Sequence, residues 1–89
     1  MRAVRWRARV WVTLRAGVLD PQGAATRSAL VSLGFTGVQT VRAGKFLELE
    51  LVAASREEAD RQVADMCRRL LANPVTEDFR YELEGCQEG

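Results

Sequence analysis

Residues 3–14 place apolar side chains at alternate positions. Val4, Trp6 and Ala8 begin an apolar series that continues at even positions to Leu14, and arginine occupies positions 5, 7 and 9 between them. A period of two is typical of a half-buried strand, so the pattern predicts a strand over residues 3–14. Because that length exceeds the usual range of about 3–10 residues, part of the strand is expected to extend beyond its own sheet.

A fixed corner follows this strand and precedes the first helix. Gly17 can adopt the positive φ that a tight exit from a strand often requires. Asp20 occupies an N-cap position, and Pro21 follows at the first helical position, where a missing N–H is not needed. Apolar and small residues then recur at helical spacing as far as Leu33, and Gly34 is expected to end the helix.

Two further strands are predicted in the middle of the chain. Residues 38–43 form a short strand, Gly44-Lys45 the turn, and residues 46–53 the returning strand of a hairpin. The returning strand has one apolar face, which is formed by Leu47, Leu49 and Leu51.

A second helix and a last strand complete the prediction. Ser55 and Glu58 have the spacing of a capping box, and Asn73-Pro74 ends the helix. Residues 79–84 then alternate as a strand. The apolar face of the helix is formed by residues at helical spacing, namely Ala59, Val63, Met66, Cys67 and Leu70.

The predicted order of elements is β-α-β-β-α-β, which is the order of ferredoxin-like folds. It predicts an α+β protein with an antiparallel sheet and two helices on one face, because each crossover connection returns on the same side. Residues 1–84 are expected to form a single domain and residues 85–89 a flexible tail. If the first and last strands are neighbours, the arginines of the first face Glu82 and Glu84 of the last.

Composition indicates a small globular protein with a thin core. Hydrophobic residues make up 47% of the 89 residues and charged residues 28%, which excludes a disordered chain. A domain of this size buries only roughly two-thirds of its unfolded surface. No apolar stretch approaches the roughly 20 residues that span a bilayer, and the arginine-rich start lacks the apolar segment of a signal peptide. A cytoplasmic location without membrane association is expected.

Self-association through the first strand is also predicted. Trp11 interrupts the polar face of that strand, and a thin core favours burial against a second copy. We expect a dimer or tetramer. The predicted contacts of this interface are Arg5, Arg7, Arg9 and Trp11.

The sequence contains few residues that could take part in catalysis or bind a metal ion. The chain has no histidine, the usual general base near neutral pH. Cys67 and Cys86 are too few ligands for a zinc site, and Cys67 is expected to be a small buried apolar residue. No nucleophile and base are recognisable by spacing. We therefore predict no catalytic, cofactor-binding or metal-binding residue.

The sequence bears on three kinds of function. Nucleic-acid binding is disfavoured, because the net charge is only +1 and the internal strands lack the aromatic pattern of RNA-recognition modules. An interaction protein without its own chemistry is favoured. A small-molecule-binding regulatory module of ACT-like type is the alternative, and RNA binding is a weaker one.

Several motifs, taken together, resemble a known family. They are Leu14-Arg15-Ala16-Gly17-Val18-Leu19-Asp20-Pro21-Gln22-Gly23, Val41-Arg42-Ala43-Gly44-Lys45, Met66-Cys67, Leu70-Leu71-Ala72-Asn73-Pro74-Val75 and Glu77-Asp78-Phe79. In this order over residues 10–83 they are similar to the PurS family, the small subunit of phosphoribosylformylglycinamidine synthase in purine biosynthesis.

The resemblance implies a non-catalytic subunit of an ATP- and glutamine-dependent ligase complex. Such a subunit joins a PurL-type synthetase to a PurQ-type glutaminase and supports transfer of glutamine-derived ammonia. ATP, magnesium and glutamine are used by the complex, and no cofactor is held by this chain. Exposed charges near the turns are expected to contact the partners. They are Arg15, Arg42, Lys45 and Glu48.

Overall fold

A computed structural model describes residues 4–86 as an antiparallel sheet with two helices. The elements in chain order are β1 (Val4–Leu14), α1 (Pro21–Ser32), β2 (Gly44–Ala53), α2 (Arg56–Met66), a π-helical turn (Cys67–Leu71) and β3 (Glu77–Cys86). The predicted α+β class, the antiparallel sheet and the two helices are confirmed.

β1 is the central strand of the sheet and is paired along its length on both sides. β2 pairs with residues 4–13 and β3 with residues 5–14, both antiparallel. The expected extension of the first strand beyond its own sheet is therefore wrong. β3 runs to Cys86 and so includes two residues that the sequence analysis assigns to the tail. The rest of that predicted tail, 87–89, lies outside the described residues.

The core lies between one face of the sheet and α2. Ala8, Val10 and Val12 of β1 are fully buried there against Val63 and Cys67. The prediction that Cys67 is a small buried apolar residue is confirmed. Half-buried apolar residues of the two flanking strands complete this inner face, namely Leu47, Leu49, Leu51, Phe79, Tyr81 and Leu83.

Tyr81 links β3 to α2. Its hydroxyl donates to Oδ1 of Asp60 at 2.7 Å. Desolvation of the phenol, followed by this hydrogen bond, raises the pKa of Tyr81 to about 12. A phenol is protonated at neutral pH even at its ordinary pKa of 10.0, so the hydroxyl is a donor to Asp60 there.

The corner between β1 and α1 is held by the carboxylate of Asp20. Its Oδ1 accepts from the N–H of Gly23 at 2.8 Å, and its Oδ2 accepts from the N–H of Ala43 at 2.9 Å. These hydrogen bonds lower the pKa of Asp20, that from Gly23 contributing most. Gly17 has the predicted positive φ, 85°. A single side chain therefore caps α1 and ties the helix to the segment that leads into β2.

The predicted strand over residues 38–43 is absent, and Gly44 begins β2 without a hairpin turn. A strand of this length requires a paired neighbour, and α1 carries the segment away from the sheet. The segment instead follows the start of α1, where the Val41 carbonyl approaches Gly23 closely. Arg42 donates from there to the carbonyl of Leu14.

α1 and the segment after it project from the sheet, and we call residues 21–43 the arm. Gly23 is the only buried residue of α1, while Leu33 and Phe35 are 74% and 58% exposed. The radius of gyration is 17.3 Å and the longest dimension 57 Å, whereas a compact chain of this length has a radius of gyration of about 12 Å. α1 therefore does not cover the sheet beside α2 as the sequence analysis expects.

The π-helical turn changes the direction in which Leu70 points. The N–H of Ala72 donates to the carbonyl of Cys67, five residues earlier, at 2.9 Å. The wider turn keeps Cys67 and Ala72 buried and leaves Leu70 82% exposed. The predicted place of Leu70 on the apolar face of the helix is therefore wrong, because that prediction assumes regular α-helical spacing.

Gly23→Ala is expected to lower the free energy of unfolding by about 1–2 kcal/mol, net of the gain in helix propensity. The added Cβ would meet the Val41 carbonyl and lie 2.7 Å from an Asp20 carboxylate oxygen. Urea unfolding measures the change. Gly37→Ala is the matched control, because its Cβ would have no other atom within 4 Å. Equal stability of the two variants would contradict the close approach at Gly23.

The stabilisation that Asp20 provides is expected to be lost in acid. Its pKa in the folded state lies below the ordinary value of 3.8, so the contribution is complete above 3.8 and disappears as the pH falls through the folded pKa. The difference in Tm between the wild type and Asp20→Asn should therefore be constant near neutral pH and shrink in acid. Asp65→Asn, at an exposed carboxylate paired with Arg69, controls for general acid effects. A Tm difference independent of pH would count against this role of Asp20.

Candidate functional site

Three of the four residues predicted to contact partners lie at one end of the sheet, where β1 ends and β2 begins. Arg15, Arg42 and Lys45 each donate to a backbone carbonyl there, and we call the surface that they form the corner end. The acceptors are the carbonyls of Pro74 at 2.7 Å, Leu14, and Leu71 at 3.1 Å, respectively. The sequence-predicted cations thus lie together on the folded chain.

These cations brace the turns around them. Arg15 also forms an ion pair with Asp78 at 3.1 Å. Lys45 joins the start of β2 to the end of the π-helical turn, and Arg42 joins the arm to the end of β1. These contacts connect the turns at the corner end, and the surface can orient a partner through its charge and through the remaining N–H groups.

Glu48, the fourth predicted contact, does not join this group. It lies on the outer face of the sheet, opposite the core, where its Oε2 is 3.6 Å from Nε of Arg9. Lys45 stands on the other side of the sheet, because its cross-strand neighbour Val12 is fully buried in the core. The prediction that these residues contact partners stays a prediction.

The arginines of β1 form a charged row along the outer face. Arg7 contacts two glutamates: its Nη2 lies 3.4 Å from Oε1 of Glu50, and its Nη1 lies 3.6 Å from Oε1 of Glu84. Nη2 of Arg9 lies 3.2 Å from the same oxygen of Glu84. The hydrogen bond to Glu50 is the main cause that raises the pKa of Arg7. The prediction that this arginine face meets the glutamates of the last strand is confirmed within a single chain.

Trp11 ends this row and packs against residues of its own chain. The ring centroids of Trp11 and Phe46 are 5.4 Å apart, and the guanidinium carbon of Arg80 lies 4.1 Å from the Trp11 ring centroid. This geometry is that of a cation–π contact. The structure thus gives the outer face partners within its own sheet, and its use in self-association stays a prediction for Arg5, Arg7, Arg9 and Trp11.

A cavity of about 380 Å³ opens at the corner end beside the start of α1. Asp20, Lys45 and Glu77 supply its charged groups. Each of them is bonded to the backbone of the chain, Glu77 through the N–H of Asn73 at 2.7 Å. The charged groups around this cavity are therefore engaged in hydrogen bonds to the backbone of the chain itself.

Neither cysteine forms a disulfide. Burial raises the pKa of the Cys67 thiol, and Cys86 lies at the end of β3. Among residues 4–86, no group of three or more histidine, cysteine, aspartate or glutamate side chains could hold a metal ion. In the same part of the chain, no helix is long and apolar enough to cross a membrane.

Two exposed apolar side chains near the corner end were not predicted from the sequence. Leu70 in the π-helical turn and Val75 in the turn before β3 are 82% and 76% exposed. No local signal in the sequence indicates their exposure. The π-helical turn that exposes Leu70 is set by the burial of Cys67 and Ala72, five residues apart.

Comparison of the sequence with known proteins finds relatives that belong to one family. The sequence model of the PurS family, described as phosphoribosylformylglycinamidine (FGAM) synthase, matches residues 7–85. The PurS subunit of that synthase from Bacillus subtilis is 47% identical over 79 residues, which are 89% of this chain and 93% of the relative. The subunit from Archaeoglobus fulgidus is 47% identical over 72 residues, which are 81% and 90% of the two chains.

Solved structures of the same family share the fold. Thermus thermophilus PurS matches with a TM-score of 0.81 and 39% identity, over 93% of this chain and 99% of the other. A chain in the structure of PurLQS from Thermotoga maritima matches with a TM-score of 0.77 and 32% identity, over 92% and 98% of the two chains. The chain therefore belongs to the PurS family of subunits of phosphoribosylformylglycinamidine synthase, an enzyme of purine biosynthesis.

Proposed function

We propose that this chain is a non-catalytic subunit that joins a PurL-type synthetase to a PurQ-type glutaminase in the cytoplasm. The observation that carries the proposal is its likeness, at a TM-score of 0.77, to a chain of the PurLQS structure. ATP, magnesium and glutamine are used by the partner subunits, and this chain holds no cofactor. Its part is to hold the two enzymes in a fixed arrangement.

A bridge of this kind has a physical purpose. Ammonia released into water is protonated and diluted, whereas ammonia passed within a closed assembly reaches the synthetase at a high local concentration. A subunit that supports this transfer must keep its shape. The bonds from Arg15, Arg42 and Lys45 to backbone carbonyls provide that rigidity at the corner end.

The chemistry of the chain supports the non-catalytic part of the proposal. Histidine is absent from the sequence, and the acidic and basic groups around the corner cavity are bonded to the backbone. Cys67 is fully buried, and burial disfavours its thiolate. The chain thus offers surfaces for contact, and its partners supply the reacting groups.

We also propose that two copies associate through their arms. A helix of twelve residues is marginally stable in water when it has no surface to pack on, and α1 leaves Leu33 largely exposed. The inner face of the sheet beside α2 has half-buried residues that α1 of the same chain does not cover. Residues 38–43 have no strand partner among the described residues, and β2 pairs on one side only within the described chain. Reciprocal contact between arm and sheet covers both surfaces.

Self-association is expected in sedimentation equilibrium at micromolar concentration, with a mass at least twice that of the 9.9 kDa chain. Leu33→Glu should weaken association at least about tenfold, because it places a charge at an exposed apolar position of the arm. Val75→Glu is the matched control, since Val75 is similarly exposed and lies outside the arm. A monomeric wild type would refute the proposal. Dissociation by Trp11→Glu but not by Leu33→Glu would place the interface on the outer face instead.

Glutamine-dependent amidine formation by the two partner subunits is expected to require this chain, while formation from added ammonia should proceed without it. Omitting the chain from the mixture and comparing the two nitrogen donors measures this directly. Arg42→Gln should lower the glutamine-dependent rate several-fold, with Arg61→Gln on the exposed side of α2 as the control. An unchanged glutamine-dependent rate without the chain would refute bridging. An equal loss of both rates would show that the chain acts on the synthetase itself.

A further inference from the structure

The arm is joined to the rest of the chain at its base, and its outer part bonds to itself. Asp20 holds both ends of the arm through the N–H groups of Gly23 and Ala43. Further out, Nε of Arg27 in α1 donates to the Val38 carbonyl at 3.1 Å, which braces the helix against the returning segment. The direction of the whole arm therefore depends on a few atoms at its base.

We call Asp20, Gly23 and the backbone of residues 41–43 the clasp. We propose that the clasp positions the arm for docking on a second copy of this chain, with Asp20 as the positioning residue. The clasp fixes the direction in which the arm leaves the sheet before the two copies meet. The inference rests on the proposed association through the arms, and it adds the residue that orients them.

Association of this kind depends on the direction of the arm. Each arm must reach the sheet of the other copy while its own sheet receives the arm of that copy, and such a reciprocal contact closes only when both arms point in directions related by the two-fold axis. An arm that pivots at its base loses that freedom when it docks, and the loss opposes binding. An arm that is already fixed loses less, so the clasp should act on the affinity between copies.

Two attachments on one carboxylate prevent such a pivot. Oδ1 of Asp20 accepts from the start of α1 at 2.8 Å, and Oδ2 accepts from the end of the arm at 2.9 Å. The two ends are also packed against each other, because a Cβ at Gly23 would overlap the Val41 carbonyl. Arg42 adds a bond from the returning end to the carbonyl of Leu14 in β1. The base of the arm is thus held at both of its ends.

Capping and clasping are separate uses of the Asp20 side chain, and a serine distinguishes them. Serine caps a helix about as well as aspartate does, but it has one oxygen where the carboxylate uses two. Asp20→Ser is therefore expected to keep the bond to Gly23 and to lose the bond to Ala43. The variant retains the start of α1 and frees the returning end of the arm.

The test measures self-association of the full chain by sedimentation equilibrium. Asp20→Ser should raise the Kd for self-association at least about tenfold. Gly23→Ala should raise it as well, because the added Cβ disturbs the clasp from the side of the helix.

Ser55→Ala is the matched control for a general loss of stability. Oγ of Ser55 accepts from the N–H of Glu58 at 3.1 Å and caps α2, which lies outside the arm. Loss of this cap should lower the Tm and leave the Kd for self-association unchanged. A merely structural role of Asp20 would give the same result as this control.

Equal Kd values for the wild type and both clasp variants would overturn the inference, as would an equal rise of the Kd with Ser55→Ala. The association through the arms is judged separately, by the wild type and by Leu33→Glu. If the wild type associates, Leu33→Glu weakens it and both clasp variants associate as tightly as the wild type, only the clasp is refuted. A monomeric wild type refutes the association and the clasp together.

Discussion

The carboxylate of Asp20 is the constraint on which the position of the arm depends. It accepts from Gly23 at the start of α1 and from Ala43 just before β2, so one side chain fixes where the arm leaves the sheet and where it returns. Gly23 permits this arrangement, because any larger residue would displace the Val41 carbonyl. The two ends of the arm are thereby held together while its middle remains exposed.

Sequence patterns predicted the features that depend on neighbouring residues. The alternation in β1, the N-cap at Asp20 and the positive φ of Gly17 are each set by short-range geometry, and the structure has all three. The meeting of Arg7 and Arg9 with glutamates of β3 was also predicted, because a period of two fixes the face on which each side chain lies.

Features that depend on distant contacts could not be predicted in the same way. Residues 38–43 were predicted as a strand from their position before a turn, but local sequence does not identify a pairing neighbour, and among residues 4–86 the segment has none. Leu70 was misplaced because a change from α- to π-helical spacing is set by how Cys67 and Ala72 reach the core. At the candidate site the three clustered cations were predicted, whereas the separate position of Glu48 follows from strand register.

The central position of β1 has a consequence for how the protein folds. Its two neighbours in the sheet are β2 and β3, so β1 can be fully paired only after both of these later strands have been synthesised. Pairing between residues so distant in sequence slows folding and leaves an apolar strand open to aggregation in the meantime. The arginines that alternate along β1 place a charge at every second residue from Arg5 to Arg9, and such charges keep a nascent strand from associating with other chains.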